Sequence, residues 1–370
     1  MRIALVHDWL NHKRGGAEAV LFELAKLYPE ADIYTLVYRA EYFPELVTRN
    51  VITSSLQSYP KKLRNNPKYL LPAIAKAVGK WRFDKYDLVI SSSNAWVKNI
   101  KIPKNTKHIC YCHTPARMLW DQWPSYLDKH FPPKSRLQPT RLALLKVCSG
   151  LRVWDYYGSS GITEFVANSK YVATRIKKFY GRDSTVIYPP VAVDQFKPVK
   201  QVVKQDYYLV LSTLADYKQI DIIIEAFKES GRQLIVAGDG ADRSRLEGIA
   251  KGAANISFVG YVDEAQKIKL LQEAKGFVFA NIEDFGIAPV EAMAAGTGVI
   301  ALRGGGLNET VVDPKTGIFF DNPNVQSLNT ALSKYEKTSF QSSELINQAK
   351  KFSDKSFLRN IDKFVQDHAK

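Results

Sequence analysis

The chain has 370 residues, 45% of them apolar and 24% charged, which excludes disordered and fibrous classes and suggests two domains at about 150 residues each. No uninterrupted apolar run approaches the ~20 residues that span a bilayer, and three cysteines, an odd number in a long chain, exclude a disulfide framework. Basic residues exceed acidic ones by 15, and the surplus is one-sided: residues 1–200 carry 32 Lys and Arg against 15 Asp and Glu, residues 201–370 carry 20 against 22.

The N-terminus reads as a buried strand over 2–7 without an apolar leader and cleavage site, so a cytoplasmic protein is expected. Further strands are predicted at 32–37, 87–91, 108–112, 164–167 and 185–188, with apolar residues at helical spacing over 16–27 and 170–180. A double proline, Pro189-Pro190, and a polar stretch to about residue 206 mark a seam. Beyond it, strands at 207–211, 233–237, 255–259, 276–280 and 298–302 alternate with helices at 220–228, 242–250, 264–274 and 289–295; residues 339–370 read as helical and charged. Strand–helix alternation means a parallel sheet covered on both faces, and its occurring twice predicts two Rossmann-like domains. Their expected extents are 1–192, joined by the C-terminal helix 353–370, and 193–352. A surplus of positive charge confined to the first points to an anionic surface there: membrane, nucleic acid or phosphorylated ligand.

The most specific constellation is Glu283-Asp284-Phe285-Gly286-Ile287-Ala288-Pro289-Val290-Glu291-Ala292-Met293-Ala294-Ala295-Gly296. It follows a strand, turns at Phe285-Gly286 and enters a helix near Pro289, so it lies outside the carboxyl end of a strand, where α/β sheets bind ligands. The N–H groups of Phe285, Gly286 and Ile287 are placed to face a ligand, Gly286 permits close approach, and Pro289 needs no donor in a first helical turn. Glu283 and Glu291, seven residues apart in the intervening count, bracket the loop. Gly15-Gly16, with Arg14 before it, opens the first helix and offers bare N–H groups to an anion. His113 ends the strand at 108–112; alone, it reads as structural or catalytic. His108, Cys110 and Cys112 share a strand face, but C-x-C on a strand does not wrap a tetrahedral ion and no second Cys pair exists, so no metal site is assigned. Lys218 follows the strand at 207–211 and suits a diphosphate as a point charge. Gly238-Asp239-Gly240 is a turn and not a dinucleotide fingerprint, and Gly304-Gly305-Gly306 reads as a flexible loop. Lys61, Lys62, Arg64 and Lys68 interleave with aromatic and leucine residues through Lys80-Trp81-Arg82. That stretch reads equally as a membrane-surface segment or as a solvated, lysine-rich face. Nucleic-acid binding is not expected, because no recognised module is present.

The Glu283–Glu291 string resembles the E-x7-E signature of retaining glycosyltransferases of family 4, which have the α/β GT-B fold, two facing Rossmann-like domains with a cleft between them. Ile3-Ala4-Leu5-Val6-His7-Asp8-Trp9-Leu10 with Arg14-Gly15-Gly16-Ala17-Glu18 is similar to the family's first strand and glycine turn. Tyr111-Cys112-His113-Thr114-Pro115-Ala116-Arg117, Ala167-Asn168-Ser169-Lys170-Tyr171-Val172 and Val186-Ile187-Tyr188-Pro189-Pro190 resemble the mannosyltransferase branch of O-antigen and capsule assembly. The resemblance implies that His113 faces the donor sugar and that Glu283, with the N–H groups of Phe285 to Ile287, holds its hydroxyls. It implies that Glu291 binds the ribose, and that Lys218 with Gly15 and Gly16 meets the diphosphate. Three departures stand out: Thr213, a donor-site position, replaces an arginine of the diphosphate clamp, Gly298 replaces a proline, and Thr163 replaces an aspartate.

The function implied is retaining transfer of a hexose, mannose from GDP-mannose, to a lipid-linked saccharide in surface polysaccharide assembly. No cofactor and no metal are expected, since the nucleotide sugar is a substrate and no D-x-D pair occurs. Polyprenyl-diphosphate acceptors of that branch favour membrane contact through the basic stretch, hence a peripheral position on the inner face of the membrane. The alternatives are a sugar-nucleotide epimerase of the same fold and a non-catalytic sugar-nucleotide-binding protein, for which Thr213 is the best argument.

Overall fold

The computed structural model describes residues 1–11, 15–64, 70–121, 123, 139–196, 198 and 202–369. The chain divides into two compact units, Met1–Pro189 with Leu358–Lys370, and Pro190–Phe357.

The first unit is built on seven parallel strands: β1 Ile3–His7, β2 Asp32–Thr35, β3 Val51–Thr53, β4 Leu88–Ser93, β5 Lys107–Cys112, β6 Glu164–Ala167 and β7 Thr185–Val186. Their order is β3-β2-β1-β4-β5-β6-β7. The central strands are buried on both faces, which is why they read as unbroken apolar runs. The strand order reverses between β1 and β4, the place where α/β sheets bind ligands at their carboxyl ends. Asp8, fully buried just past β1, organises this edge. Its two carboxylate oxygens accept the N–H groups of Asn94 (2.5 Å), Ala95 (3.0 Å), Trp96 (2.9 Å) and Val97 (2.9 Å) and the Ser93 hydroxyl (3.1 Å), ending β4 in a short 3-10 turn. From that turn Lys98 reaches a fully buried ion pair with Asp155 of the helix Pro139–Gly158. Asp155 also accepts from Asn99 (3.1 Å), Trp120 (2.9 Å) and Tyr180 (2.8 Å). Each lone pair of the carboxylate thus has a donor, the condition under which a buried charge is tolerated.

The second unit has six parallel strands: β8 Tyr208–Leu211, β9 Leu234–Ala237, β10 Ile256–Gly260, β11 Gly276–Phe279, β12 Val299–Leu302 and β13 Gly317–Phe320, in the order β10-β9-β8-β11-β12-β13. Here the reversal falls between β8 and β11. Gly298, one residue before β12, has no room for a side chain: a Cβ there would sit 2.7 Å from the Tyr335 hydroxyl. Tyr335 lies under the sheet and donates to the Lys275 carbonyl at 2.9 Å, so glycine instead of proline at 298 accompanies a bulky partner. Thr163, in place of an aspartate, accepts the His108 N–H with its hydroxyl at 3.0 Å.

The expected strands and helices are found within a few residues. β3, β13 and the helices Leu71–Val78, Pro139–Gly158 and Val325–Glu336 were not expected from the sequence. The two strands have three and four residues and lie at sheet edges, too short to show a period. Among the described residues no helix is long and apolar enough to cross a membrane.

The basic stretch after Tyr59 is corrected in one respect. Its apolar residues Leu70, Leu71, Ile74, Ala77, Val78 and Trp81 are core, so they offer nothing to a bilayer. Lys61, Lys62 and Arg64 form a short helix, and Lys61 and Arg64 line a cavity of 290 Å³ with Arg39 and Gln57. Lys68 lies outside the described residues.

Candidate active site

In the first unit the switch point gathers His7, Glu18, Ser92 and His113. His7 and Ser92 are register partners on β1 and β4, and His113 follows β5. The Ser92 hydroxyl bonds His113 Nε2 at 2.8 Å and His7 Nδ1 at 3.1 Å. Burial holds His113 down at about 3, so it is neutral at pH 7. Glu18 stands one helical turn after Gly15 on the helix Gly16–Leu27. Its Oε2 accepts the Gly15 N–H at 2.9 Å, and its Oε1 faces His7 Nε2 at 3.8 Å. Burial pushes the Glu18 carboxyl up, but His7 and the backbone N–H groups of Gly15 and Glu18 together more than offset this and leave it lowered. The glycine turn therefore differs from the expectation: the Gly15 donor is not bare but held by a carboxylate of its own helix. Arg14 lies outside the described residues.

In the second unit both sides of the switch point carry expected residues. β8 runs into Thr213, which is exposed, and a 3-10 turn Asp216–Lys218. β11 runs into the loop before the helix Ile287–Ala294. That helix starts two residues earlier than expected: Gly286, at φ 87°, is its N-cap, and Pro289 lies in its first turn. The N–H groups of Ile287 and Ala288 consequently have no intrahelical acceptor. The structure brings Lys218 and Glu283 into an ion pair, with Asn281 Nδ2 a further 3.2 Å from the same Glu283 oxygen. Glu291, 14% exposed, is paired with Lys267 at 3.2 Å, and Lys267 also reaches Glu264 at 3.0 Å. Lys267 sits on the helix Glu264–Glu273, which Asp263 caps through Gln266 N at 2.8 Å, and lies 4.9 Å over the Phe196 ring. Burial raises the Glu291 carboxyl above the usual range, and the Lys267 ammonium opposes that rise.

Gly304-Gly305-Gly306 is not a flexible loop but a backbone-on-backbone joint. A Cβ on Gly305 would fall 2.1 Å from the Glu283 carbonyl, and one on Gly306 2.4 Å from Phe285 Cα. The Gly306 N–H donates to the Glu283 carbonyl at 2.9 Å. Gly304 and Gly305 have φ 157° and 59°. The three glycines thus fix the backbone that carries Glu283. Gly306→Ala is expected to destabilise the unit by about 1–3 kcal/mol and to loosen the Glu283 loop, which a lower melting temperature would show. An unchanged melting temperature would show that the joint gives way freely. Gly238 and Gly240 play the turn role expected of them, packing against the Ser212 and Leu214 carbonyls.

His7, Glu18, Ser92 and Lys267 escaped the sequence reading. Glu18 had a signal, an acidic group three residues after a glycine N-cap. Lys267 had none, since its partner lies on another element 24 residues away.

The arrangement can bind an anionic, polyhydroxylated ligand: carboxylates for hydroxyls, a lysine and helix N–H groups for phosphate oxygens. Comparisons agree. A family model for "Glycosyltransferase Family 4" matches residues 14–195, and one for "Glycosyl transferases group 1" matches residues 193–352. Alpha-1,3/1,6-mannosyltransferase ALG2 of Dictyostelium discoideum is 24% identical over 99% of this chain and 98% of its own. The GDP-mannose-dependent alpha-(1-6)-phosphatidylinositol monomannoside mannosyltransferase of Mycolicibacterium smegmatis is 28% identical over 44% of this chain and 50% of its own. Anabaena HepE, solved in complex with UDP, has the same fold, with a TM-score of 0.69 at 19% identity over 99% of this chain and 100% of its own. Matched by the two models in turn from residue 14 to residue 352, and folded as two Rossmann-like domains, this chain belongs to the family 4 glycosyltransferases of the GT-B fold.

Proposed function

We propose that the protein is a retaining hexosyltransferase that moves mannose from GDP-mannose to a hydroxyl of a lipid-linked saccharide, without a metal ion, at the cytoplasmic face of a membrane where surface polysaccharide is assembled. The observation that carries the reading is the placement of Glu283, Lys218 and Glu291 around the β8–β11 switch point of the second unit. Glu291 accepts the ribose hydroxyls. Glu283, with the N–H groups of Phe285, Gly286 and Ile287, orients the hydroxyls of the sugar. Lys218 neutralises the departing diphosphate, which it reaches by releasing Glu283 to the sugar. In the first unit the Gly15-Gly16 turn is assigned to the diphosphate and His113 to the sugar. The bond from the anomeric carbon to the diphosphate oxygen breaks through an oxocarbenium-like state, and the acceptor oxygen bonds to the same face. The acceptor's proton passes to the leaving phosphate, so no side-chain base is needed. Mannose and GDP are supported by the printed names of two relatives. A uridine donor is the second reading, favoured by the UDP and UDP-glucose complexes of HepE.

Calorimetric titration with GDP, GDP-mannose, UDP and UDP-glucose in EDTA tests both. Binding of the guanine pair alone supports the first reading, binding of the uracil pair the second. If none binds, donor recognition at this site is refuted. An inverted product anomer by NMR would refute retention.

Lys267 gives the reading a pH signature. Its ammonium opposes the burial that raises Glu291, so Lys267→Gln raises that carboxyl further. A protonated Glu291 loses acceptor capacity, so as pH is lowered from 8 toward 5 donor affinity should begin to fall at a higher pH in the variant than in the parent. Dissociation constants measured across the range check this; parallel pH curves would remove Lys267 from ribose binding.

A further inference from the structure

The cluster at the carboxyl ends of β1, β4 and β5 contains more than the proposed chemistry uses. Four side chains stand in series: Glu18, His7, Ser92 and His113. Glu18 Oε1 faces His7 Nε2 at 3.8 Å, His7 Nδ1 meets Ser92 Oγ at 3.1 Å, and Ser92 Oγ meets His113 Nε2 at 2.8 Å. His7 and Ser92 are each 1% exposed and His113 7% exposed, so water does not compete along the series. His113 Nδ1 makes no hydrogen bond among the described residues.

Each link constrains the next. A carboxylate only accepts, so Glu18 favours a proton on His7 Nε2. The neutral ring then carries a lone pair on Nδ1, to which the Ser92 hydroxyl must donate. A hydroxyl has one proton; once given to His7, Ser92 can only accept from His113. His113 is left with its proton on Nε2 and a bare lone pair on Nδ1. The opposite direction would set the His7 Nε2 lone pair against the Glu18 carboxylate, two acceptors facing each other with no proton between them. A doubly protonated His7 would also reverse the last two links, which is why the test below is made at alkaline pH.

We propose that Glu18, acting through His7 and Ser92, fixes His113 in its Nε2–H tautomer, so that His113 Nδ1 recognises a ligand hydroxyl as a hydrogen-bond donor. Glu18, His7 and Ser92 are positioning residues; only His113 meets the ligand. That His113 meets the donor sugar rests on the function proposed above; the tautomer does not. Burial keeps the His113 ring uncharged, so Nδ1 keeps its lone pair as long as His7 is itself neutral. The Gly15 N–H shares the same carboxylate, through Oε2, so the glycine turn and the histidine are tied to one group.

The test is two-bond proton–nitrogen NMR on the full chain labelled with 15N-histidine, at about pH 8.5, above the ordinary histidine range. The His113 ring is assigned by its loss in His113→Gln. In the parent, His113 should show a protonated Nε2 and an unprotonated Nδ1. In Glu18→Gln an amide can donate to His7 as well as accept, and in Ser92→Ala the series is cut. Both variants should show a second His113 tautomer. His108, whose Nε2 bonds Ser91 Oγ separately at 2.8 Å, should keep its signals and report that the sheet is intact. A proton on His113 Nδ1 in the parent, or the same single tautomer in both variants, overturns the proposal. A second arm uses nucleotide-sugar analogues with fluorine replacing one sugar hydroxyl at a time, since fluorine accepts but does not donate. Besides the hydroxyls that Glu283 orients, one should be sensitive to fluorine in the parent by about tenfold, the measure of an ordinary hydrogen bond, and Glu18→Gln should lose that preference at this position alone. If no nucleotide sugar binds at all, the proposed function fails while NMR still decides the tautomer. A shifted tautomer with unchanged preference overturns the recognition role of His113.

Discussion

Glu291→Gln is expected to weaken donor binding by about 10- to 100-fold, with little change in melting temperature. The carboxylate is 14% exposed and meets Lys267 at 3.2 Å, so the protein keeps a desolvated negative charge in the second turn of the helix Ile287–Ala294. A charged acceptor is worth roughly 1.5–3 kcal/mol to a hydroxyl donor, and an amide of the same shape supplies one neutral acceptor instead. Lys267 retains Glu264, 3.0 Å away, so the ammonium is not stranded by the substitution. Calorimetry with GDP or UDP, whichever binds the parent, measures the effect. An affinity within twofold of the parent would take the ribose away from Glu291 and leave its charge a purely structural one.

Thr213→Arg should act in the opposite direction and raise kcat/KM by as much as ~30- to 1000-fold, corresponding to ~2–4 kcal/mol of transition-state stabilisation. Thr213 is exposed at the end of β8, so an arginine there has room to extend. The single lysine of this loop, Lys218, is paired with Glu283. A guanidinium would add a bidentate grip on the diphosphate that threonine's one neutral hydroxyl lacks. Steady-state transfer or donor hydrolysis reads the outcome. No gain would mean that the diphosphate charge is already met elsewhere, and Lys218→Ala would then measure how much of it this lysine carries.

The two sheets were legible because parallel strands buried on both faces leave short apolar runs, and the helices between them leave a 3.6-residue period. The string from Glu283 to Gly296 was legible for a similar reason: strand, loop and helix follow one another without interruption, so the loop's position at a carboxyl end follows from order alone. Charge pairing was not. Lys267 meets Glu291, and Lys218 meets Glu283, because β8, β11 and a neighbouring helix lie side by side, which depends on strand order rather than on local pattern. Likewise, His7 and Ser92 face each other only because β1 and β4 pair in a register that places residue 7 beside residue 92. The glycines at 304–306 misled for the converse reason. Their composition suits a mobile loop, while their actual use, admitting the Glu283–Phe285 backbone at contact distance, shows only when the neighbour is in place.

The buried pair of Lys98 and Asp155 bears on how the first unit comes apart. Lys98 leaves the loop after β4, Asp155 belongs to the helix Pro139–Gly158, and Tyr180 and Trp120 close the same carboxylate from two more segments. Peeling the helix away alone would leave the ammonium with the Ala95 carbonyl but no counter-charge inside an apolar core, a penalty of several kcal/mol that water relieves only when the surrounding sheet opens as well. Partial fraying is therefore suppressed, and amides of this helix should exchange with solvent at the rate of global unfolding, together with those of β4 and β5 rather than ahead of them.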